Sequence, residues 1–181
     1  VDALANVPAN LRHPDGDWFG FASRVRGIAY AVDRVDPADI TDFTDLADEA
    51  WRGRICVRSS NNVYNQSLLA GLIESQGADA AEAWAAAITA NLARPPQGGD
   101  TAQIRAIAAG ECDVAIVNHY YLARLERSED PADIEAAEAV ELVIADLAGR
   151  GAHMNISGAG LAAGAPNRDN AIAFLEFLLS E

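Results

Sequence analysis

The sequence contains no lysine: all 13 of its bases are arginine, set against 27 acids for a formal charge of −14 at neutral pH. No basic cluster interrupts that excess, so a nucleic-acid groove or an anionic membrane surface is repelled. Cations, small molecules and other proteins remain as partners. Long apolar runs are missing as well. No stretch approaches the roughly 20 residues of a helical membrane span, and the N-terminus lacks the basic start and apolar stretch of a signal peptide, so no membrane insertion is expected. The chain opens on Val1 rather than methionine and is expected to be processed or cut from something longer. Cysteine is scarce. Cys56 and Cys112 are too few for a disulfide scaffold and are not spaced as a CxxC zinc or redox motif. They can form a single disulfide in an oxidising compartment or sit as paired reduced core thiols. Neither GxSxG nor a P-loop occurs, which removes the commonest hydrolase and transferase signatures. What is present is 181 residues, half of them apolar, enough for the core of one domain or somewhat more.

Along the chain, residues 19–32 (FGFASRVRGIAYAV) read as strand, a bend around 23–26, then strand, placed where a chain can cross between lobes. Residues 44–51 read as a short helix capped by Thr41 or Thr44, and 54–57 as a short buried strand. That strand runs into RSSNNVYNQSLLAGLIESQG, where Ser59, Ser60 and Asn61 are capping types and Leu68, Leu69, Leu72 and Ile73 recur at helical spacing. An Ala-rich helix over 77–91 follows, then a Pro/Gly loop at 94–100 and a helix over 102–109 capped by Asp100 or Thr101. CDVAIVN, residues 112–118, is the continuous apolar run of a central parallel strand, followed at once by a helix beginning HYYLARLE. Helix at 131–139, strand at 141–144 and extended chain at 153–161 lead to a last helix after Pro166, with an apolar face of Ile172, Phe174, Leu175, Phe177 and Leu178. This alternation predicts an α/β fold with a doubly wound sheet. Ligands of such sheets lie beyond the carboxyl ends of strands. Two strand-to-helix turns qualify, 58–64 and 118–121.

Tyr120 and Tyr121 stand in one of those turns, two of only four tyrosines in the chain. An aromatic pair there can simply pack under and over its helix. It can also ligate a metal, because phenolate is a hard oxygen donor suited to a hard trivalent cation such as Fe³⁺. A phenol with an ordinary pKa near ~10 stays ionised at neutral pH only beside a highly charged ion. Tyr64, early in the other helix, can reach the same crevice. Arg24 and Arg26 can bring a guanidinium there, whose planar fork suits a carbonate or carboxylate, or they can serve only as a solubilising surface pair. Ser59, Ser60 and Asn118 occupy the two turns, where orphan amides and the helix dipole favour an anion; ordinary N-capping explains them equally well.

Three other signals lose to blander readings. GAGLAA at 158–163 fits a loose dinucleotide pattern, but no strand with an acidic end follows it. Cys112 and His119 stand about seven residues apart at roughly 3.3 Å each along a strand, too far for a thiol–imidazole pair. His13 and His153 have no partner at zinc spacing.

Four long stretches, RVRGIAY, DLADEAWRGRICVRSSNNVYNQSL, RPPQGGDTAQIRAIAAGECDVAIVNHYYLARL and GRGAHMNISGAG, closely resemble the periplasmic ferric-ion-binding proteins of bacterial iron ABC transporters, solute-binding proteins of type II fold. The resemblance covers nearly the whole chain. It implies a periplasmic, non-enzymatic receptor that holds Fe³⁺ through the tyrosine dyad Tyr120 and Tyr121, with Tyr64 as a further ligand. It also implies Arg24 near the metal or a carbonate or similar anion, an anion at Ser59, Ser60 and Asn118, and delivery to an inner-membrane ABC permease. On this reading residues 1–30 are part of the first lobe and the hinge crossover, 31–145 the second lobe carrying the tyrosines, and 146–181 the return crossover with part of the first lobe. The family's N-terminal half-lobe and C-terminal segment have no counterpart here, so the chain is expected to be a fragment with uncovered apolar surface and a tendency to self-associate. The competing expectation is a solute-binding protein of the same fold for an oxyanion or a polyamine.

Overall fold

Alternation in two strands decides the architecture. In Phe19–Ala31 (β1) and Val114–Asn118 (β3), Ile28, Tyr30, Val114 and Ile116 belong to one buried cluster, while Ala29, Ala31, Ala115 and Val117 belong to another. Successive side chains of a strand point to opposite faces, so both faces of this sheet are covered. The first face packs against Leu68 and Leu72 of α1 (Val63–Gln76), Ile88 of α2 (Ala78–Asn91), and Phe43, Leu46 and Trp51 from two short 3₁₀ turns. The second packs against Ile104 and Ile107 of α3 (Asp100–Ala108), Leu122 and Leu125 of α4 (Tyr120–Glu126) and Ala137 of α5 (Pro131–Glu138). The result is an α/β fold with helices on both sides of a mixed sheet, seen in a computed structural model that describes residues 5–180.

The sheet runs β2–β3–β1–β4, where β2 is Ile55–Cys56 and β4 is Val140–Val143, and β5 (Met154–Ala159) also pairs with β1. β2 and β3 are parallel; β1 is antiparallel to β3 and β4. α6 (Arg168–Leu178) is the last helix. The chain separates into two compact units, one from the described parts of Val1–Arg24 and Asn155–Glu181, the other Val25–Met154. Residues 1–4 and 181, the outermost parts of the sequence-predicted lobe segments, lie outside the described residues.

Several local expectations are corrected. The bend expected at 23–26 is absent: β1 is one strand of 13 residues. Its backbone there is claimed on both sides, with the Arg26 amide donating to the His153 carbonyl at 3.0 Å and the His119 amide donating to the Val25 carbonyl at 3.0 Å. A bend would leave those groups unpaired. Gly27 earns its place in β1, since a Cβ there would stand 2.6 Å from the Val143 carbonyl oxygen of β4. The helix expected at 44–51 is two 3₁₀ turns, Phe43–Ala47 and Glu49–Trp51, and Asp42 rather than either threonine closes the capping box of the first. α6 buries none of its residues: Ile172, Leu175 and Leu178 are half-covered, but Phe174 is 59% and Phe177 71% exposed. No helix among the described residues is long and apolar enough to cross a membrane.

Candidate functional site

The parallel pairing of β2 with β3 sets two turns side by side at the carboxyl ends of neighbouring strands. After β2 the chain turns through 57–62, and the Asn62 side chain accepts from the Tyr64 amide at 2.9 Å, which starts α1 with Tyr64 in its first turn. After β3 it passes His119 and enters α4 at Tyr120. The two turns meet through their tyrosines. The hydroxyls of Tyr64 and Tyr120 lie 3.4 Å apart. The rings of Tyr120 and Tyr121 stack at 4.4 Å with an interplanar angle of 29°, and Tyr121 leans partly on the core beneath α3 and α4. All three side chains are half-buried. The Tyr121 hydroxyl has no hydrogen bond among the described residues.

Beneath Tyr64 lies a charged cluster that sequence reading did not assemble. Arg26 is 1% exposed and Asp100 fully buried; the guanidinium Nη1 donates to the Asp100 carboxylate at 2.9 Å and to the Asn118 side-chain oxygen at 3.3 Å, and Nη2 donates to the Asn65 side-chain oxygen. Arg58 donates to the second Asp100 oxygen at 2.9 Å. Asp100 also accepts from the Asn118 amide at 2.8 Å. Both guanidiniums flank the Tyr64 ring, 5.8 Å from its centroid for Arg26 and 5.2 Å for Arg58. Burial is the largest influence on Arg26 and lowers its pKa; Asp100 opposes that shift and Arg58 reinforces it. The arrangement brings two cations and one anion against a ring whose hydroxyl points to a second phenol. Of these residues the sequence offered Arg26 and Asn118 as candidates and Asp100 as a helix cap. α3 instead begins at Asp100 itself, with Gly99 in the cap position, and the carboxylate is spent on the two arginines. No local pattern reveals such a pairing, because its members are 74 and 42 residues apart.

Ser59 precedes α1 and its hydroxyl accepts from the Asn61 amide at 3.4 Å; Ser60 is exposed; neither caps the helix, since Asn62 does. Asn118 is fully buried, and its backbone amide is already taken by Asp100. His119 occupies the cap position of α4 without a side-chain cap bond, its Nδ1 lying 3.2 Å from the Val25 amide nitrogen. Arg24 belongs to the unit containing β5, where its guanidinium donates to the Ser157 hydroxyl. Cys56 and Cys112 are joined in a disulfide with Cα atoms 5.9 Å apart, which answers the choice the sequence left open and removes a Cys112 thiol nucleophile. Among the described residues no group of three or more His, Cys, Asp or Glu side chains could hold a metal.

Comparison with known proteins gives a consistent picture. A family model described as bacterial extracellular solute-binding protein matches residues 1–181. Iron uptake protein A2 of Synechocystis sp. is 54% identical over 177 residues, covering 97% of this chain and 51% of that protein. A Trichodesmium protein solved in complex with iron and citrate ligands superposes with a TM-score of 0.91 at 50% identity, covering 99% of this chain and 57% of that one. The ferric binding protein from Campylobacter jejuni superposes with a TM-score of 0.94 at 37% identity, over 99% of this chain and 58% of that one. The chain thus spans about half the length of the curated relatives it matches.

Proposed function

The chain belongs to the bacterial extracellular solute-binding protein family, whose members bind solutes rather than transform them, and from that premise we propose that it captures ferric iron in the periplasm and passes it to an ABC-transporter permease. Tyr64, Tyr120 and Tyr121 supply the ligands. Arg24 balances charge through a small anion such as carbonate, and Ser59, Ser60 and Asn118 contribute to anion binding through their side chains, the Asn118 amide being engaged elsewhere. Residues 31–145 act as the ligand-carrying lobe, with 1–30 and 146–181 as crossovers and part of the other lobe.

One observation carries this reading: the hydroxyls of Tyr64 and Tyr120, from two separate turns, converge to 3.4 Å. A small hard cation at metal–oxygen distances of about 2 Å holds adjacent donors roughly 3 Å apart. Two phenols brought to that spacing need little movement to share one ion. Phenolate oxygens are hard donors, and a trivalent cation offsets the cost of ionising them. The names of the relatives support the same choice of solute, two being iron uptake proteins and one an Fe(3+)-binding periplasmic protein.

The experiment is a titration of the chain with ferric citrate, followed by metal analysis and visible absorption. A ferric phenolate gives a charge-transfer colour, and Tyr120→Phe combined with Tyr121→Phe is expected to abolish it. Colour and iron content that persist in that double variant would overturn the ligand assignment. Binding of phosphate or putrescine with no iron-dependent colour would move the protein to another solute.

A further inference from the structure

A second cavity lies in the unit Val25–Met154, and its chemistry differs from that of the tyrosine crevice. Leu68 and Leu69 of α1, Trp84 and Ile88 of α2, Leu92 and Ile116 line a space of about 220 Å³. Its polar wall is short: Arg58, Ser60, Asn65 and Thr89, whose hydroxyl already donates to the Ala85 carbonyl at 2.8 Å. Arg58 spends one terminal nitrogen on Asp100, but its Nε is buried with no acceptor among the described residues. Arg26 and Arg58 together answer a single carboxylate, so the cluster at this wall keeps one formal positive charge.

The cavity opens to solvent and its wall is mostly apolar, so an apolar body that enters it releases water from that wall; a space of about 150 Å³ already accepts a benzene ring. The guanidinium of Arg58 shares its only carboxylate with Arg26, so positive charge remains at the cavity edge. One kind of molecule suits both features. We propose that this cavity binds a small monocarboxylate with an apolar body, one ring or a short alkyl chain, its carboxylate on Arg58 and its body between α1 and α2. The extra volume over a benzene-sized space accommodates the head group. None of Tyr64, Tyr120 and Tyr121 lines the cavity, although Ser60 does and Arg58 flanks the Tyr64 ring; the test uses the iron-free chain and no iron readout, so its failure leaves the tyrosine-ligand reading untouched and the reverse also holds.

Trp84 is a reporter in the cavity wall, and the chain has only two other tryptophans, Trp18 and Trp51. Labelling with 5-fluorotryptophan gives fluorine resonances assignable through Trp84→Phe. Butyrate, hexanoate, octanoate and benzoate are titrated, with acetate as the head alone and hexanol as the body alone. The expected result is a saturable shift confined to Trp84, with affinity rising roughly fourfold per added methylene until the cavity is full. Arg58→Gln should weaken hexanoate about tenfold while leaving hexanol unchanged, as expected for the loss of a charge-assisted hydrogen bond. Ile88→Trp, or Ala85→Leu on the same α2 wall should that variant fail to fold, fills the space and should abolish binding. A Trp84 resonance unmoved by every probe, acetate binding as well as octanoate, or undiminished binding in a folded cavity-filled variant would each overturn the proposal. The chain-length series on the unsubstituted protein decides the matter alone if neither filled variant folds.

Discussion

Asp100 shows how much one residue can carry. It is fully buried, accepts from Arg26, Arg58 and the Asn118 amide, and ties the start of α3 to the end of β3. Removing one partner of a buried ion pair leaves uncompensated charge at a cost on the order of 3–5 kcal/mol. Asp100→Ala is therefore expected to lower the unfolding free energy by that order in urea denaturation, and to loosen the seat of Tyr64. An effect below about 1 kcal/mol would mean that water reaches the arginines freely. His153 gives a pH-dependent counterpart. Its ring meets the Ser67 hydroxyl at 3.0 Å, and burial first, then the charge of Arg26, holds its pKa below the ordinary value. The unfolded chain takes up a proton near the ordinary ~6.5 while the folded chain resists it. The contribution to stability is present above that pH and is lost as pH falls toward the lowered folded value. Unfolding free energy should decline as pH falls through the ordinary ~6.5, by at most about 1.4 kcal/mol per pH unit for this group, and His153→Gln should flatten the decline. An unchanged slope in that variant would assign the pH dependence elsewhere.

At the scale of elements, the disulfide clips β2 to the segment entering β3, across 56 residues of sequence that contain α1, α2 and α3. A loop of that length gives about 4 kcal/mol by the chain-entropy relation. Replacing both cysteines by alanine should cost up to that amount in denaturant titrations, and a loss well under 1 kcal/mol would show that the reduced chain keeps this region ordered. The strands and helices themselves were legible in sequence because their signal is periodic: VAIVN and the leucines of α1 announce buried faces without tertiary help. Boundaries and caps were less legible. Ser59, Ser60 and Asn61 were the capping types read from the sequence, yet the folded backbone places the next residue, Asn62, at the cap. A bend was expected around residues 23–26, yet pairing with β3 and β5 keeps the strand continuous. The tyrosine turn was visible as a strand running into YY, whereas the Arg26–Asp100–Arg58 cluster beneath it was not, since each member is an ordinary surface-type residue until the sheet brings them together.

For the molecule as a whole, charge and apolar exposure pull in opposite directions. The formal charge of −14 keeps copies apart, while Phe174 and Phe177 on α6 offer neighbouring apolar surface. Salt screens the first and not the second. We expect self-association that grows as salt is raised from low ionic strength, read by sedimentation velocity, and relieved by Phe174→Ser with Phe177→Ser. A chain that stays monomeric at high salt and at concentrations of about 100 µM, a level at which exposed apolar surface ordinarily drives association, would contradict this.

The sharing of one carboxylate between two guanidiniums also constrains how this sequence can drift over generations. A lineage that first loses Arg58 keeps Arg26 and Asp100 as a neutral couple, and can later replace that couple by neutral side chains. A lineage that first loses Asp100 strands two cations at once and carries the full cost of that uncompensated charge. The order of substitution, and not only the final set, decides how much stability is lost on the way.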